Sequence, residues 1–354
     1  MIETVDTLDR ATLARFADII DVRSPSEFAL DHIPGAINLP VLSDAQRAEV
    51  GTIYVQQSRF LARRIGAAHV ARNIADHLER ELSDRPGSFA PLIYCWRGGQ
   101  RSNAMATVLQ QVGWRVTLLK GGYKTWRGEV TRRLYDAEPD LRLILLDGNT
   151  GSGKTEILAR LGAAGVQTVD LEGLAGHRGS LFGALPDCPQ PSQKMFESRL
   201  MQAFDGLDTT RPIVVEAESS KIGERMVPPT IWKAMLTAPT IELSVPLPER
   251  ARYLVSAYHD IIDDQARLED TLQRLPGRHG RKRLADWQEL ARAGSFEALA
   301  EDLMRDHYDP AYLRSRREDS HHRLGVIDVD DLSAGGQQSA ADAIARLVEM
   351  ETAR

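Results

Sequence analysis

Residues 148–155 read GNTGSGKT, and they follow the apolar run LRLILLD at 141–147. The octet matches G-x-x-x-x-G-K-[ST] in full, with an expected strand before it and an expected helix from about Lys154 after it. No other stretch constrains the fold as tightly. The strand must stop, the chain must curl, and a helix must start with its N–H groups facing inward. Gly148, Gly151, Ser152 and Gly153 supply the curl, and backbone N–H groups from Gly151 to Thr155 wrap a diphosphate. Lys154 adds a point charge, and the Thr155 hydroxyl holds Mg²⁺ if a metal is used. The motif alone specifies a di- or triphosphate, ATP or GTP by default, and does not separate motor ATPases from kinases.

Around this loop the pattern is α/β. Strands are expected at 166–170, 212–216 and 240–245, separated by helical stretches, then a helical region after about 248, then the strand GVIDV at 325–329. Two strand ends carry acid. IVVEAES (213–219) offers Glu216 or Glu218, and VQTVD (166–170) offers Asp170, to orient a metal or a metal-bound water. The polar segment DAEPD (136–140), with Pro139, reads as a domain boundary. Before it, Ile19–Val22, Pro91–Tyr94 and Val116–Leu119 read as buried strands, with helices over 43–82 and 101–112. Strands alternating with helices again mean a parallel sheet. The expected organisation is therefore one α/β domain over 1–135 and a P-loop α/β domain with a helical extension over 136–354.

The first domain has its own loop, YCWRGGQRS at 94–102. Cys95 ends a strand and Ser102 lies in the start of a helix, so backbone N–H groups and the helix dipole converge there. Gly98 and Gly99 allow the curl, and Arg97 and Arg101 add positive charge. These features favour thiolate over thiol and make Cys95 a nucleophile. DVRSPSEFALDHIPGAINLP (21–40) and LKGGYKTWR (119–127) flank it. Together the three stretches resemble a rhodanese domain, in which the cysteine carries sulfur or selenium as a persulfide or perselenide. Here Arg101 follows Cys95 with five residues between, one more than in common rhodanese loops. That is the spacing of cysteine phosphatases, so on loop length alone a rhodanese-type sulfurtransferase and a cysteine phosphatase, fused to an ATP-binding P-loop domain, both stay open.

Joined to the P-loop, the chain resembles the tRNA 2-selenouridine synthase family along essentially its whole length. LEGLAGHRGSLFG (171–183), EAESSKIG (216–223) and HYDPAYLRS (307–315) carry the resemblance beyond the two loops. It implies a tRNA whose wobble uridine bears sulfur at carbon 2. A geranyl group from geranyl diphosphate is transferred to that sulfur, and selenium from selenophosphate then replaces the geranylated sulfur. On this reading Cys95 attacks selenophosphate to give a perselenide, with Arg97, Arg101, Gly98, Gly99 and Ser102 holding the phosphate. The P-loop holds either geranyl diphosphate or ATP, with His177 and Arg178 near its phosphates. An enzyme that makes selenophosphate is an expected partner, and no tightly bound cofactor is expected.

For tRNA, RHGRKR (278–283) with Trp287 is the first expectation: Arg278, Arg281, Lys282 and Arg283 for phosphate and Trp287 for stacking. RSRR (314–317) with Tyr308 and Tyr312 is the second. The net charge of −6 argues against bulk nucleic-acid coating, so binding must be local. Arg59, Arg63 and Arg64 read as a solvated helix face. No apolar run approaches the roughly 18 residues needed to span a bilayer. The start MIETVDTLDR lacks a secretory pattern, and Cys95 and Cys188 are the only two cysteines, so a reducing cytoplasm is expected. Cys188, flanked by prolines, reads as structural or incidental, with a resolving cysteine for Cys95 as the alternative.

Overall fold

The structure is a computed structural model and describes residues 2–138, 140–180, 182–185, 189–275, 279–316 and 322–352. Pro139, Cys188, Arg278 and Arg317 lie outside the described residues, as do the side chains of Arg314 and Arg316. The chain forms two compact units, Met1–Ala137 with Pro191–Gly206, and Glu138–Gln190 with Leu207–Arg354. The first junction falls in the polar segment read as a boundary. The return of Pro191–Gly206 to the first unit is not legible as a domain break. Its helix, Gln193–Asp205, is held there by side chains: the Trp126 indole N–H donates to Ser198 Oγ at 3.0 Å, and Arg127 and Arg133 pair with Glu197 and Asp205.

The first unit is a five-stranded parallel sheet. Its strands are β1 (Glu3–Val5), β2 (Ile19–Asp21), β3 (Ile37–Asn38), β4 (Leu92–Tyr94) and β5 (Thr117–Leu119), in the order β1-β5-β4-β2-β3. The sequence marks β2, β4 and β5. It does not mark the edge strands β1 and β3, because two or three residues carry too little periodicity to read. The expected helix over 43–82 is two helices, Asp44–Gln56 and Arg59–Glu79, because Ser58 caps the second by accepting from the Leu61 N–H. Ile20, Val22, Ile93, Met105 and Leu109 pack the core between sheet and helices.

The second unit has strands β6 (Leu143–Gly148), β7 (Gln167–Val169), β8 (Ile213–Glu216), the short hairpin β9 (Lys221–Ile222) and β10 (Arg225–Met226), β11 (Thr240–Ser244) and β12 (Arg323–Asp328). Its main sheet is parallel in the order β12-β11-β6-β8-β7. β6 is buried at every residue, as a central parallel strand should be. The region after 247 is helical, as expected, and builds a second apolar cluster around Leu268, Leu272, Trp287, Leu299 and Leu303. Both units are thus α/β, rhodanese-like and P-loop in plan, the second with a helical extension.

One contact fixes the cysteine loop. Gly122 sits at φ 62°, and a Cβ there would collide with the Cys95 carbonyl oxygen and the Gly98 nitrogen. The Tyr123 N–H donates to that same carbonyl at 2.8 Å, so the segment Gly121–Tyr123 is a backbone clamp on the loop. Gly122→Ala should lower stability by more than about 1 kcal/mol, through both the positive φ and the collision. A thermal melt that matches wild type would show that the clamp is not tight.

Candidate functional site

In the first unit Cys95 follows β4 and is 3 % exposed. Its Sγ accepts from the Gly99 N–H at 3.2 Å and lies 3.2 Å from Ser102 Oγ, at the start of helix Gln100–Val112. Burial works against the thiolate. The Ser102 hydroxyl and the N–H groups of Ser102, Arg97 and Gly99 outweigh it, and the thiol titrates below its ordinary value. Gly98 at φ 65° makes the curl, against the Leu119 carbonyl. So Cys95, Gly98, Gly99 and Ser102 converge.

The arginines act differently from the expectation. Arg97 is exposed, and its backbone N–H is the group turned to the sulfur. The Arg101 guanidinium is held by Glu27 at 2.8 Å, so its fork is engaged with a carboxylate and not free over the loop. Glu27 also accepts from the Ser24 N–H and lies 3.2 Å from Arg47. Burial opposes its ionisation, but Arg101, the Ser24 N–H and Arg47 hold its pKa below the usual carboxylate value. Glu27 lies in the stretch SPSEF, and the sequence marks it only through the resemblance. Below the loop, buried Asp21 and Arg23 pair at 2.6 Å, and the Arg23 guanidinium stacks 4.0 Å from the Tyr123 ring.

In the second unit Gly151 and Gly153 take positive φ, 83° and 70°, and helix Lys154–Ala163 starts from the second of them. A Cβ on Gly151 would press on Leu254 and the Arg250 carbonyl. Lys154 Nζ donates to the Gly148 carbonyl at 2.9 Å, folded back over its own loop. Arg250, buried, donates to the Thr150 carbonyl at 3.2 Å and to both oxygens of Asp309. The Gly148 N–H donates to the Tyr312 hydroxyl at 3.0 Å. The stretch HYDPAYLRS therefore braces the P-loop through Asp309 and Tyr312. Tyr308 and Tyr312 line the cavity of this loop.

That cavity is about 1340 Å³. Ser152, Lys154 and Thr155 line it with Asp170, Glu172, Glu218, His177 and Arg178, so the expected phosphate-site residues share one space. Asp170 has a structural role: its carboxylate caps the short helix Leu171–Ala175 by accepting from the Gly173 N–H at 2.6 Å. Glu216 is fully buried below, accepting from the Leu171 N–H at 2.8 Å, and burial pushes its pKa well up. Arg178 pairs with Asp260 at 3.0 Å, and burial lowers the pKa of His177. The acid that the sequence does not single out is Glu172. Burial and the neighbouring Glu218 push it up to about 9. Burial also raises Glu218, which takes a hydrogen bond from Glu172, so the pair shares a proton. Glu172 lies 3.5 Å from Thr155 Oγ1. Among the described residues no group of three or more His, Cys, Asp or Glu could hold a metal, and the Thr155 hydroxyl is the group that would face a Mg²⁺ brought in with a phosphate.

The expected tRNA residues divide. Trp287 is fully buried in the helical cluster, with the Arg283 guanidinium 5.6 Å from its ring, and cannot stack on a base. Arg283 is tied to Asp302 and Asp306. Arg281 and Lys282 are exposed. Among the described residues no helix is long and apolar enough to cross a membrane.

A parallel-sheet unit with a cradled cysteine, in one chain with a P-loop unit, defines a rhodanese–P-loop fusion protein. The family model "Rhodanese-like domain" matches residues 4–129, and "tRNA 2-selenouridine synthase AAA domain" matches 141–335. The tRNA 2-selenouridine synthase of Bdellovibrio bacteriovorus is 32% identical over 337 residues, 84% of this chain and 88% of that protein. That of Hahella chejuensis is 32% identical over 361 residues, 92% and 93% of the two. The chain belongs to the tRNA 2-selenouridine synthase family.

Two outcomes follow from these environments. Alkylation of Cys95 by iodoacetamide, followed by peptide mass spectrometry, should show a midpoint below that of an ordinary thiol. Ser102→Ala should raise the midpoint and slow alkylation at neutral pH about threefold. About one pKa unit is lost with the hydrogen bond and partly offset by a more nucleophilic sulfur. An unchanged midpoint would remove Ser102 from the cradle. For Glu172 the folded pKa lies above the unfolded one. The folded state therefore holds a proton that the unfolded state has lost, and stability falls as pH rises from the ordinary carboxylate range through about 9. Glu172→Gln cannot ionise, so between about pH 5 and pH 9 its Tm should fall less than that of wild type, by about 2 °C or more. Parallel Tm curves would contradict the shared proton.

Proposed function

We propose that the protein converts 2-thiouridine at the wobble position of tRNA into 2-selenouridine, in the cytoplasm, in two transferase steps. The observation that carries this reading is the cradled Cys95 thiol in a loop of phosphatase length, within a chain of this family. In the first step the uridine sulfur attacks carbon 1 of geranyl diphosphate. The carbon–oxygen bond breaks and diphosphate leaves. Lys154 and the N–H groups of Gly151 to Thr155 stabilise the charge that gathers on it. The proton shared by Glu172 and Glu218 supports this assignment, because two ionised carboxylates beside the loop would repel the anion. Alkylation makes carbon 2 electrophilic and turns the sulfur into a thiol leaving group.

The second step uses selenophosphate, supplied by an enzyme that makes it. Thiolate attack on selenium gives a perselenide only by expelling phosphorus at the phosphite level, and a perselenide formed with release of phosphate needs an added oxidant. Attack of Cys95 on phosphorus is redox-neutral: the sulfur–phosphorus bond forms, hydroselenide leaves, and water later removes the phosphoryl group. The hydroselenide adds to carbon 2, and geranyl thiol departs. The N–H groups of Arg97, Gly99 and Ser102 fit the phosphoryl oxygens, and the longer loop suits a phosphate better than a lone persulfide sulfur. Arg281 and Lys282 are the exposed cations proposed to contact the tRNA backbone, and the wobble base must leave its stack to be reached.

Nucleoside mass spectrometry on thiolated tRNA incubated with each variant tests both steps. Cys95→Ala should accumulate geranylated nucleoside and make no 2-selenouridine. Lys154→Ala should lose geranylation roughly 100-fold. Full 2-selenouridine formation by Cys95→Ala would remove Cys95 from the reaction. If ATP alone bound the P-loop, and depended on Lys154, the prenyl diphosphate assignment would be wrong.

A further inference from the structure

A second, smaller pocket of about 80 Å³ adjoins the P-loop cavity in the same unit. Five residues, Thr150, Ser180, Leu254, Tyr258 and Tyr308, line both spaces, so the two lie side by side with these residues at their boundary. Beyond that boundary the walls are apolar: Val255, Ile261 and Leu268 from one part of the helical extension, Phe296, Leu299 and Ala300 from another. An apolar pocket beside an anion loop suits a ligand that has both an anionic and an apolar part. The chemistry of such an occupant is set by the two spaces together. It carries a diphosphate at one end and a hydrocarbon at the other, and the hydrocarbon starts within reach of Thr150 in the loop itself. Adenosine does not fit the inner walls, since none of Val255, Ile261, Leu268, Phe296, Leu299 or Ala300 can pair with its ring nitrogens or ribose hydroxyls.

We propose that this pocket is the chain subsite of the prenyl donor and that its depth, closed by Phe296, Leu299 and Ala300 of helix Phe296–Leu303, selects the ten-carbon chain. The assignment rests on the reading of the P-loop as a prenyl diphosphate site. A five-carbon chain ends near Leu254 and Tyr258 and leaves the inner pocket empty. A ten-carbon chain enters it. A fifteen-carbon chain overfills it. Each methylene that enters contributes about fourfold in affinity, so the step from five to ten carbons is read easily, and overfilling reverses the gain.

The test is equilibrium binding of inorganic pyrophosphate and of dimethylallyl, geranyl and farnesyl diphosphates to the full chain. Wild type should bind geranyl diphosphate at least tenfold more tightly than pyrophosphate, dimethylallyl or farnesyl diphosphate. Ala300→Phe fills the pocket and should cut geranyl diphosphate binding at least tenfold while pyrophosphate stays within twofold. Phe296→Ala deepens the pocket and should raise the farnesyl-to-geranyl affinity ratio at least tenfold, a gain that misfolding cannot produce. If Ala300→Phe weakens every ligand alike, the Phe296→Ala ratio decides, and an unchanged ratio overturns the proposal. Equal wild-type binding of pyrophosphate and geranyl diphosphate overturns the chain subsite but leaves the diphosphate site standing. Binding of ATP with none of the four diphosphate ligands sinks the P-loop reading itself.

Discussion

Backbone N–H groups brought together where a parallel strand ends and a helix begins are the interaction on which both units depend. A parallel sheet places such strand ends along one edge, and each one offers unpaired donors. In the first unit the edge beyond β4 turns its donors on a sulfur, Cys95. In the second, the edge beyond β6 curls at Gly151 and Gly153 and turns its donors on open space, a cavity of about 1340 Å³. One device thus yields a site with a built-in nucleophile and a site that must receive its anion from outside. The difference between the two sites follows from what fills each nest.

A nest works only if it cannot relax, and the two units stiffen theirs by different means. Around Cys95 the brace is steric and made of backbone: Gly122 approaches so closely that no side chain fits, and the Tyr123 N–H locks the Cys95 carbonyl. Around the P-loop the brace is ionic. Arg250 bridges the Thr150 carbonyl and Asp309, and Tyr312 takes the Gly148 N–H. A buried guanidinium without its carboxylate would be strongly destabilising, so the Arg250–Asp309 pair couples the order of the loop to the helical extension. The same extension walls the apolar pocket. Order in the anion loop and shape in the pocket therefore depend on the same helices.

The sequence disclosed the nests more fully than their braces. GNTGSGKT and YCWRGGQRS are contiguous, and a contiguous motif carries its geometry in its own glycines. Glu172, Arg250, Asp309 and Tyr312 act across distances in sequence that no local pattern records. Two of the stretches quoted for the family resemblance hold three of them, Glu172 in LEGLAGHRGS and Asp309 with Tyr312 in HYDPAYLRS, yet nothing in those residues alone says that they meet the P-loop. Trp287 shows the opposite failure. It stands near Arg281, Lys282 and Arg283, and a basic run beside an aromatic reads as a nucleic-acid face. Its helix instead turns the indole into an apolar cluster and leaves Arg281 and Lys282 outward. The edge strands β1 and β3 and the excursion of Gln193–Asp205 into the first unit escaped for a related reason: short strands and tertiary docking leave no period in the chain.

The charge balance at the P-loop is the remaining constraint. Asp170, Glu172, Glu216 and Glu218 crowd a loop built to face an anion, with Lys154 as its cation. Four ionised carboxylates there would defeat the nest. Burial resolves the conflict by keeping protons on the acids: Glu216 is pushed well up, Glu172 rises to about 9, and Glu218 accepts from Glu172. Asp170 directs its charge to a helix cap. A partly neutralised acidic wall has a further consequence. The shared proton lowers the negative charge that Glu172 and Glu218 turn towards the loop. Tyr258 and Tyr308 line both the acid-walled cavity and the apolar pocket, so the acids and the apolar pocket are parts of one environment.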